Sequence, residues 1–539
     1  MIFKRKKIKF FLGSYGKTPE RLYFDEDMRL IQMHYDFRLK QGLDEFLIDD
    51  ITWHDLSMDD LFKRINPRLT TSGEQYLYYL LRSPALHESD YEKRRCLIET
   101  MDTDANLRLK LQLILMKLGR SREMELHKAF VPADGQYGRL SWYLVMVFSF
   151  VISLIGGVLF QNTVMMLLFA GLVILNPLYH HLVEKKIRYQ LHTVNYITSM
   201  VSAAKRIKKL NPPAITEHLQ DFYRDVKTLK SLNLTAFAID DPSQNTDEFT
   251  QVLTLMFKNF FFADLIGYEL VKNKLGKYHK EILNIHEMIG MLDASIAVAS
   301  YRASLETYVI PTVNFQQKVE PEIKIIDVIH PLVKNPVANS IDTGGSVLLT
   351  GSNASGKSTF LRSVAMNVIM AQSICTVLAF EYEASAFHIY SSMAIADNLL
   401  AGDSYFMAEI KSMKRVVDAA EVQQPVFCVI DEILRGTNTI ERISASSEIL
   451  KLLAGKGVLC FAATHDIELC ELLKQDYQML HFTESITEDG RVEFDYKLRT
   501  GPTRTRNAIK LLAALGFEQG LIDKANARAN LYGENGKWS

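Results

Sequence analysis

The sequence predicts an α plus α/β protein: a helical half carrying an inserted apolar hairpin, followed by a half built on a mainly parallel sheet. Three observations predict it. Apolar residues recur at helical spacing through much of residues 51–310. Within that span, Leu140 to Val183 contains no Asp, Glu, Lys or Arg. From Ile323 onward the texture changes to short β-branched runs alternating with helices.

The chain has 539 residues, 48% of them hydrophobic, and a formal net charge of −1. At roughly 100–200 residues per domain, that length is a soft prior for three to four units. No global basic excess is present to neutralise a nucleic-acid backbone, which leaves only a local basic face for that purpose. Cys96, Cys375, Cys428, Cys460 and Cys470 show neither close pairing nor zinc spacing. Cys428 and Cys460 lie in apolar runs and read as small buried hydrophobes in a reducing compartment. The start, Met1-Ile-Phe-Lys-Arg-Lys-Lys-Ile-Lys, has too few apolar residues after it for a secretory leader. It reads as a basic arm on anionic lipid or as a solvated tail, within a lead-in of residues 1–50.

The charge-free stretch divides into Leu140–Phe160 and Val164–Leu182, separated by Gln161-Asn162-Thr163. Each run approaches the roughly 20 apolar residues that a bilayer span requires. Trp142, Tyr143 and Tyr179 stand at the ends, where interfacial aromatics belong. Arg139 precedes the pair, and Lys185, Lys186 and Arg188 follow it. A transmembrane hairpin over 140–182 is therefore expected, in a multi-pass protein of the cell membrane with both flanks cytoplasmic. The competing reading is a buried helical hairpin, but a soluble helix normally shows a polar stripe.

Before the hairpin, Asp55–Leu118 has amphipathic spacing; after it, Arg188–Tyr308 is mostly helical, broken by Asn211-Pro212-Pro213 and Asp240-Asp241-Pro242-Ser243. Ser346–Thr350, Val426–Ile430 and Val458–Ala462 read as strands buried on both faces.

Gly351-Ser352-Asn353-Ala354-Ser355-Gly356-Lys357-Ser358-Thr359 fits the G-x-x-x-x-G-K-[ST] pattern. It follows one of these strands and precedes a helical run at Phe360–Ala371, as the motif requires. Glycines there let backbone N–H groups curl toward phosphate oxygens at a helix N-terminus. Lys357 would reach the β- and γ-phosphates of ATP, and Ser358 would ligate Mg²⁺. The strand Val426–Ile430 ends in Asp431 and Glu432. Asp431 would hold the magnesium, directly or through water, and Glu432 would polarise the attacking water. Strand Val458–Ala463 delivers Thr464-His465 to the same sheet edge, where His465 would sense the γ-phosphate.

These residues resemble the MutS family. The resemblance is carried by the phosphate loop with Ser358-Thr-Phe-Leu-Arg362, by Asp431-Glu-Ile-Leu-Arg-Gly-Thr-Asn-Thr439, and by Phe461-Ala-Ala-Thr-His465-Asp. Asp397-Asn-Leu-Leu-Ala-Gly-Asp-Ser404-Tyr-Phe406-Met-Ala-Glu409 is similar to the family's signature segment. In the helical half, Asp60–Pro84 looks like the start of the MutS core, and Ile285–Ala303 like the helix returning to the ATPase. The resemblance implies a helical core/lever-like domain at 51–310; the hairpin inserted in it is read from the charge-free stretch and is not part of the family's pattern. The resemblance also implies a P-loop (ABC-type) α/β ATPase domain at 311–539. Ser404 would reach across a homodimer to the partner's nucleotide, while His330 and Asn339 would frame the adenine.

Resemblance and hairpin together imply an ATP-driven dimer switch of a mismatch-repair-like family, tethered to a membrane and acting on DNA, with mismatch reading itself not expected. Lys205, Arg206, Lys208, Lys209, Lys272 and Lys274 are candidates for phosphate contacts, or else a solvated helix face. The alternative is a membrane-bound mechanical or signalling ATPase that does not bind DNA; a transporter ATPase fits less well, because one hairpin makes a poor translocation path. Departures from the family pattern are clear. Only about fifty residues precede the core, too few for a mismatch-reading domain of ordinary size. No nuclease-like domain is expected after Gly516, and Asp403, Tyr405 and Leu434 differ from the commonest family residues.

Overall fold

The computed structural model describes residues 2–19, 22–121, 126, 140–229, 248–316, 320–352, 355–393, 405–421, 425–486, 492–502, 509, 512 and 516–535. They form two units. The first comprises residues 1–43, 65–79 and 96–304, and the second 44–64, 80–95 and 305–539.

The first unit is helical, and side-chain caps mark its helix starts. Asp104 accepts from the N–H groups of Asn106 and Leu107 at the head of Ala105–Leu118. Asn162 accepts from Val164 and Met165, and so turns the apolar stretch into two helices, Leu140–Leu159 and Thr163–Leu210. The second of these runs through Pro177 and is interrupted by non-helical backbone at Ile187. It stops where Asn211 turns left-handed ahead of Pro212. The interruption expected at Asp240–Ser243 lies outside the described residues.

Three helices are long and apolar enough to cross a membrane by length and composition. In Leu140–Leu159 and Thr163–Leu210, only 28% and 17% of the apolar window is buried. In His279–Ala303 the figure is 83%, so this helix is the core of the unit. It packs tightly because two positions lack a Cβ. One built at Gly290 would come within 2.5 Å of the Tyr76 Cβ, and one at Gly73 within 2.0 Å of the Asp293 carboxylate.

Asp293 is buried there and accepts from the Thr70 N–H at 3.1 Å and the Thr70 hydroxyl at 2.5 Å. Burial pushes its carboxyl up from an ordinary 3.8 to about 7; the Thr70 bonds oppose the rise and the Glu74 charge adds to it. The folded state thus holds this proton more tightly than the unfolded chain does. The resulting stability is complete below the ordinary carboxyl value and is lost as pH climbs through about 7. Asp293→Asn is expected to flatten that part of the pH dependence. Melting curves of the detergent-solubilised protein from pH 5 to 7.5 check this, and identical slopes for both proteins would refute it.

The second unit is α/β. Its main sheet has the order β12 (Arg499–Thr500), β9 (Gln478–His481), β4 (Val347–Thr350), β8 (Leu459–Ala463), β7 (Val426–Asp431), β6 (His388–Ser392). Every pairing is parallel except β12 with β9. The three strands read from sequence are its centre, and every residue of β4, β7 and β8 is buried. Cys428 and Cys460 face each other across β7 and β8 and are buried. A smaller mixed sheet, β1 (Thr312–Asn314), β5 (Glu381–Ser385), β2 (Ile323–Val328) and β3 (Asn339–Thr343), was not foreseen. Val492–Phe494 (β11) pairs with Glu484–Ile486 (β10) as a separate ribbon.

Residues 44–64 and 80–95 are part of this unit through specific bonds. Asp55 accepts from the Ser391 hydroxyl at 2.7 Å and the Met393 N–H at 2.9 Å. Ala85 and Gln372 exchange backbone and side-chain bonds, and the Tyr91 hydroxyl donates to the Pro311 carbonyl at 2.7 Å. Buried Trp53, Leu61 and Phe62 add an apolar face.

Candidate functional site

The order of the main sheet builds the site. Leu349 on β4 and Asp431 on β7 are both in register with Ala463 on the strand between them. The three strands therefore end level and release their following residues at one edge, where ligands of open α/β sheets bind. Those residues are the loop from Gly351, the pair Asp431-Glu432 and the pair Thr464-His465.

The loop has backbone only glycine tolerates. Gly351 sits at φ +144°, and a Cβ there would lie 2.7 Å from the Phe482 carbonyl oxygen. Gly356, at φ +112°, precedes the helix Lys357–Ile374, which starts earlier than the run at Phe360–Ala371 read from sequence. The Lys357 ammonium donates to the carbonyls of Gly351 (2.7 Å) and Ser352 (2.8 Å), so it curls back under the loop. Burial lowers its pKa to about 8, although the carboxylates of Asp431, Glu432 and Glu484 hold it up. Ser352 donates to Glu484 at 2.7 Å. Ser355 is buried, Ser358 half-buried and Thr359 exposed. Asn353 and Ala354 lie outside the described residues.

Asp431 is buried, with Oδ1 lacking a hydrogen-bond partner among the described residues. Glu432 adopts left-handed backbone at φ 56°, its N–H donating to the Ala463 carbonyl at 3.0 Å. Its carboxylate meets His465 Nε2 at 2.6 Å and pairs with Arg435. Burial alone would raise this carboxyl, yet the His465 hydrogen bond and charge, with Arg435 and Lys357, hold it below the ordinary value. Glu432 is therefore a carboxylate across the neutral range.

A cavity of about 490 Å³ opens from Lys357, Ser358 and Glu432 to His330, Asn339 and Tyr496. Burial and the Arg362 charge lower His330 to about 4, so it presents a neutral ring. Asn339 donates to the Tyr496 carbonyl at 3.0 Å and accepts from the Leu498 N–H at 2.8 Å. Its amide thus fastens Tyr496 to the cavity wall. Sequence reading missed Tyr496, Phe482 and Glu484, because no motif surrounds them, and gave no role to Arg435 although it lies within the Asp431–Thr439 motif.

Ser404 and residues 394–403 of the signature segment lie outside the described residues. Its later part is described. The Glu409 carboxylate accepts from the N–H groups of Arg435 (3.3 Å) and Gly436 (3.2 Å). A Cβ on Gly436 would meet Phe406 at 3.0 Å. The signature helix Tyr405–Ala419 is therefore seated on the loop that follows Glu432.

The basic residues of the helical unit are in part already engaged. Lys208 donates to the Tyr223 carbonyl at 2.5 Å and Lys272 pairs with Glu269 at 2.6 Å. Arg206 and Lys209 are exposed, Lys205 is half-buried, and the side chain of Lys274 lies outside what is described.

Residues 347–532 match the family model MutS domain V. Over 266 residues the chain is 28% identical to the DNA mismatch repair protein MutS of Streptococcus mutans, a match covering 48% of this chain and 31% of that protein. Over 269 residues it is 32% identical to the MutS of Thermotoga petrophila, covering 48% and 33% respectively. The chain thus spans about a third of the length of these relatives. The match and the similarities support a MutS-family protein.

Proposed function

Proceeding from the domain V match, we propose that this chain binds and hydrolyses ATP, and does so as a homodimer tethered to a membrane through residues 140–182. The observation that supports it most is the level sheet edge, where Lys357 and Glu432 line one end of the cavity, His465 bonds to Glu432, and Asp431 ends the neighbouring strand in register. Loop N–H groups and Lys357 bind the phosphates. His330 and Tyr496 offer flat faces for the adenine, and Asn339 acts by holding Tyr496 in place.

Asp431 and Ser358 fit a magnesium ion. Asp431 Oδ1 is buried without a hydrogen-bond partner among the described residues, and a buried carboxylate oxygen left so calls for a cation. When bound, that ion supplies charge neutralisation at the phosphates. Among the described residues no cluster of three or more acidic, histidine or cysteine side chains forms a metal cage. Protein ligands of this kind leave the remaining positions to phosphate and water. Glu432, ionised and oriented by His465, aligns the attacking water and accepts its proton.

Ser404 of one copy completes the partner's site in this reading. Asp55 holds Ser391 and Met393 at the end of the strand that leads toward the signature segment. Asp55→Ala strands two donors at a cost of about 1–3 kcal/mol. Turnover is expected to fall on the order of tenfold, with nucleotide affinity unchanged. Separate measurements of kcat and of Kd check this, and equal losses in both would remove Asp55 from that role.

The opening and closing of the dimer acts on DNA, held through its backbone. A membrane-bound mechanical or signalling ATPase is the second reading, favoured by the engaged Lys208 and Lys272. ATP turnover of the solubilised protein, with and without duplex DNA at low and moderate salt, separates them. Stimulation that fades with salt supports the DNA reading. Turnover indifferent to DNA overturns it and leaves the ATPase in place.

A further inference from the structure

The helix Glu248–Phe261 carries only two charged residues, Glu248 and Lys258. A helix on a soluble surface keeps a polar stripe. Here Phe249, Val252, Leu253, Leu255, Met256 and Phe257 are all 40–70% exposed, and they occupy consecutive as well as helically spaced positions. The stripe here is Thr250, Gln251, Thr254 and Lys258 by helical spacing, and the opposite apolar face is exposed instead of resting on a core. That face is the outside of a helix made for an apolar surrounding.

That outside is continuous with the hairpin. Phe260 stacks on Phe150 with centroids 5.4 Å apart, and Phe261 meets the same ring edge-on at 5.9 Å. Phe262, buried and at φ +50°, turns the chain and packs against Tyr143 at 5.8 Å and Tyr179 at 6.0 Å. Beside this junction the hairpin exposes its own uncharged side chains, among them Phe148 and Ile152.

The junction is also wired for a place without water. In hydrocarbon, the last carbonyls of a helix need partners from within the protein. Asn176, fully buried on the second hairpin helix, donates to the Phe260 carbonyl at 3.3 Å. His180 Nε2 lies 3.0 Å and 3.1 Å from the two carboxylate oxygens of Asp264 and ties down the next helix, Ala263–Lys277. Lys258 has a long enough stem to carry its charge toward the interface.

We infer that Glu248–Phe261 is a third membrane element, immersed in the acyl-chain region beside the hairpin. Its 14 residues reach about 21 Å at 1.5 Å per residue. The hydrocarbon core is about 30 Å thick, so the helix enters the bilayer without crossing it. The partner of this surface is lipid hydrocarbon. The inference rests on the membrane reading of residues 140–182.

The test is spin-label accessibility in the full chain. A Cys96→Ser background carries one added cysteine at a time, Leu253→Cys or Phe257→Cys, in phosphatidylcholine/phosphatidylglycerol vesicles. Ile152→Cys reports the hairpin, and Arg206→Cys is the aqueous reference. The expected result is that labels at 253 and 257 match 152, relaxed by oxygen with loss of access to a water-soluble nickel complex. If 152 reads as lipid while 253 and 257 read as aqueous, the third element is wrong and the hairpin stands. If 253 and 257 exclude both reagents, a second copy of the chain covers the helix and the lipid assignment falls. An aqueous signal at 152 overturns both.

Discussion

Lys357→Ala is expected to abolish nucleotide binding. The ammonium is drawn under the loop, held by two carbonyls at 2.7 and 2.8 Å. A phosphate entering the cavity gains a charge-assisted bond from it in a buried setting, where such bonds contribute about 1.5–3 kcal/mol each. Two of them lost at the β- and γ-phosphates correspond to a loss of affinity of roughly 10²–10⁴-fold. Truncation also leaves the Gly351 and Ser352 carbonyls without their donor, which loosens the loop itself. Equilibrium binding of a fluorescent ATP analogue, with a melting curve to show that the variant is folded, is the measurement. Native affinity in a folded Lys357→Ala protein would remove the phosphate loop from the mechanism.

Glu432→Ala should do the opposite to binding and similar damage to turnover. Glu432 lies at the same end of the cavity as Lys357 but is no part of the phosphate loop, and its partners His465 and Arg435 are both basic. Removing it leaves the phosphate cradle intact and takes away the group that orients water and accepts its proton. The loss in kcat is expected at about 10²–10⁴-fold, the range for a general base. ATP then persists in the site and holds the dimer closed. Light scattering with ATP against ADP reads the dimer, and a steady-state assay reads turnover. A variant that hydrolyses ATP at the native rate refutes the role of Glu432.

Much of the ATP half was legible in sequence because its signals are local. A β-branched run followed by Gly351–Thr359, or ending in Asp431-Glu432, marks a strand and puts the candidate residues at its tip. What sequence could not show is which strand lies between them. The register through Ala463 on β8 is a non-local fact, and it brings His465 within 2.6 Å of Glu432. Tyr496 and Glu484 stayed hidden for the same reason, since each reaches the site from a strand region with no pattern of its own. In the helical half, the charge-free run and its Gln161-Asn162-Thr163 turn were readable because Asn162 caps the second helix. The hydropathy that marks His279–Ala303 would mislead if taken alone, because it reflects burial around Gly290 and Asp293.

The interleaving of the two units has a practical consequence. The chain passes between them after residues 43, 64, 79, 95 and 304, so five peptide bonds join the two. A strand of rope with one splice can be cut cleanly; one plaited five times cannot. A fragment starting at residue 305 would carry every strand of both sheets and still lack the tenants of their outer surfaces. Asp55, Ala85 and Tyr91 would be gone, leaving Ser391, Gln372 and Pro311 to solvent and Trp53's share of the interior vacant. The nucleotide engine of this protein is therefore not detachable at a sequence boundary, and biochemistry on it belongs to the intact chain.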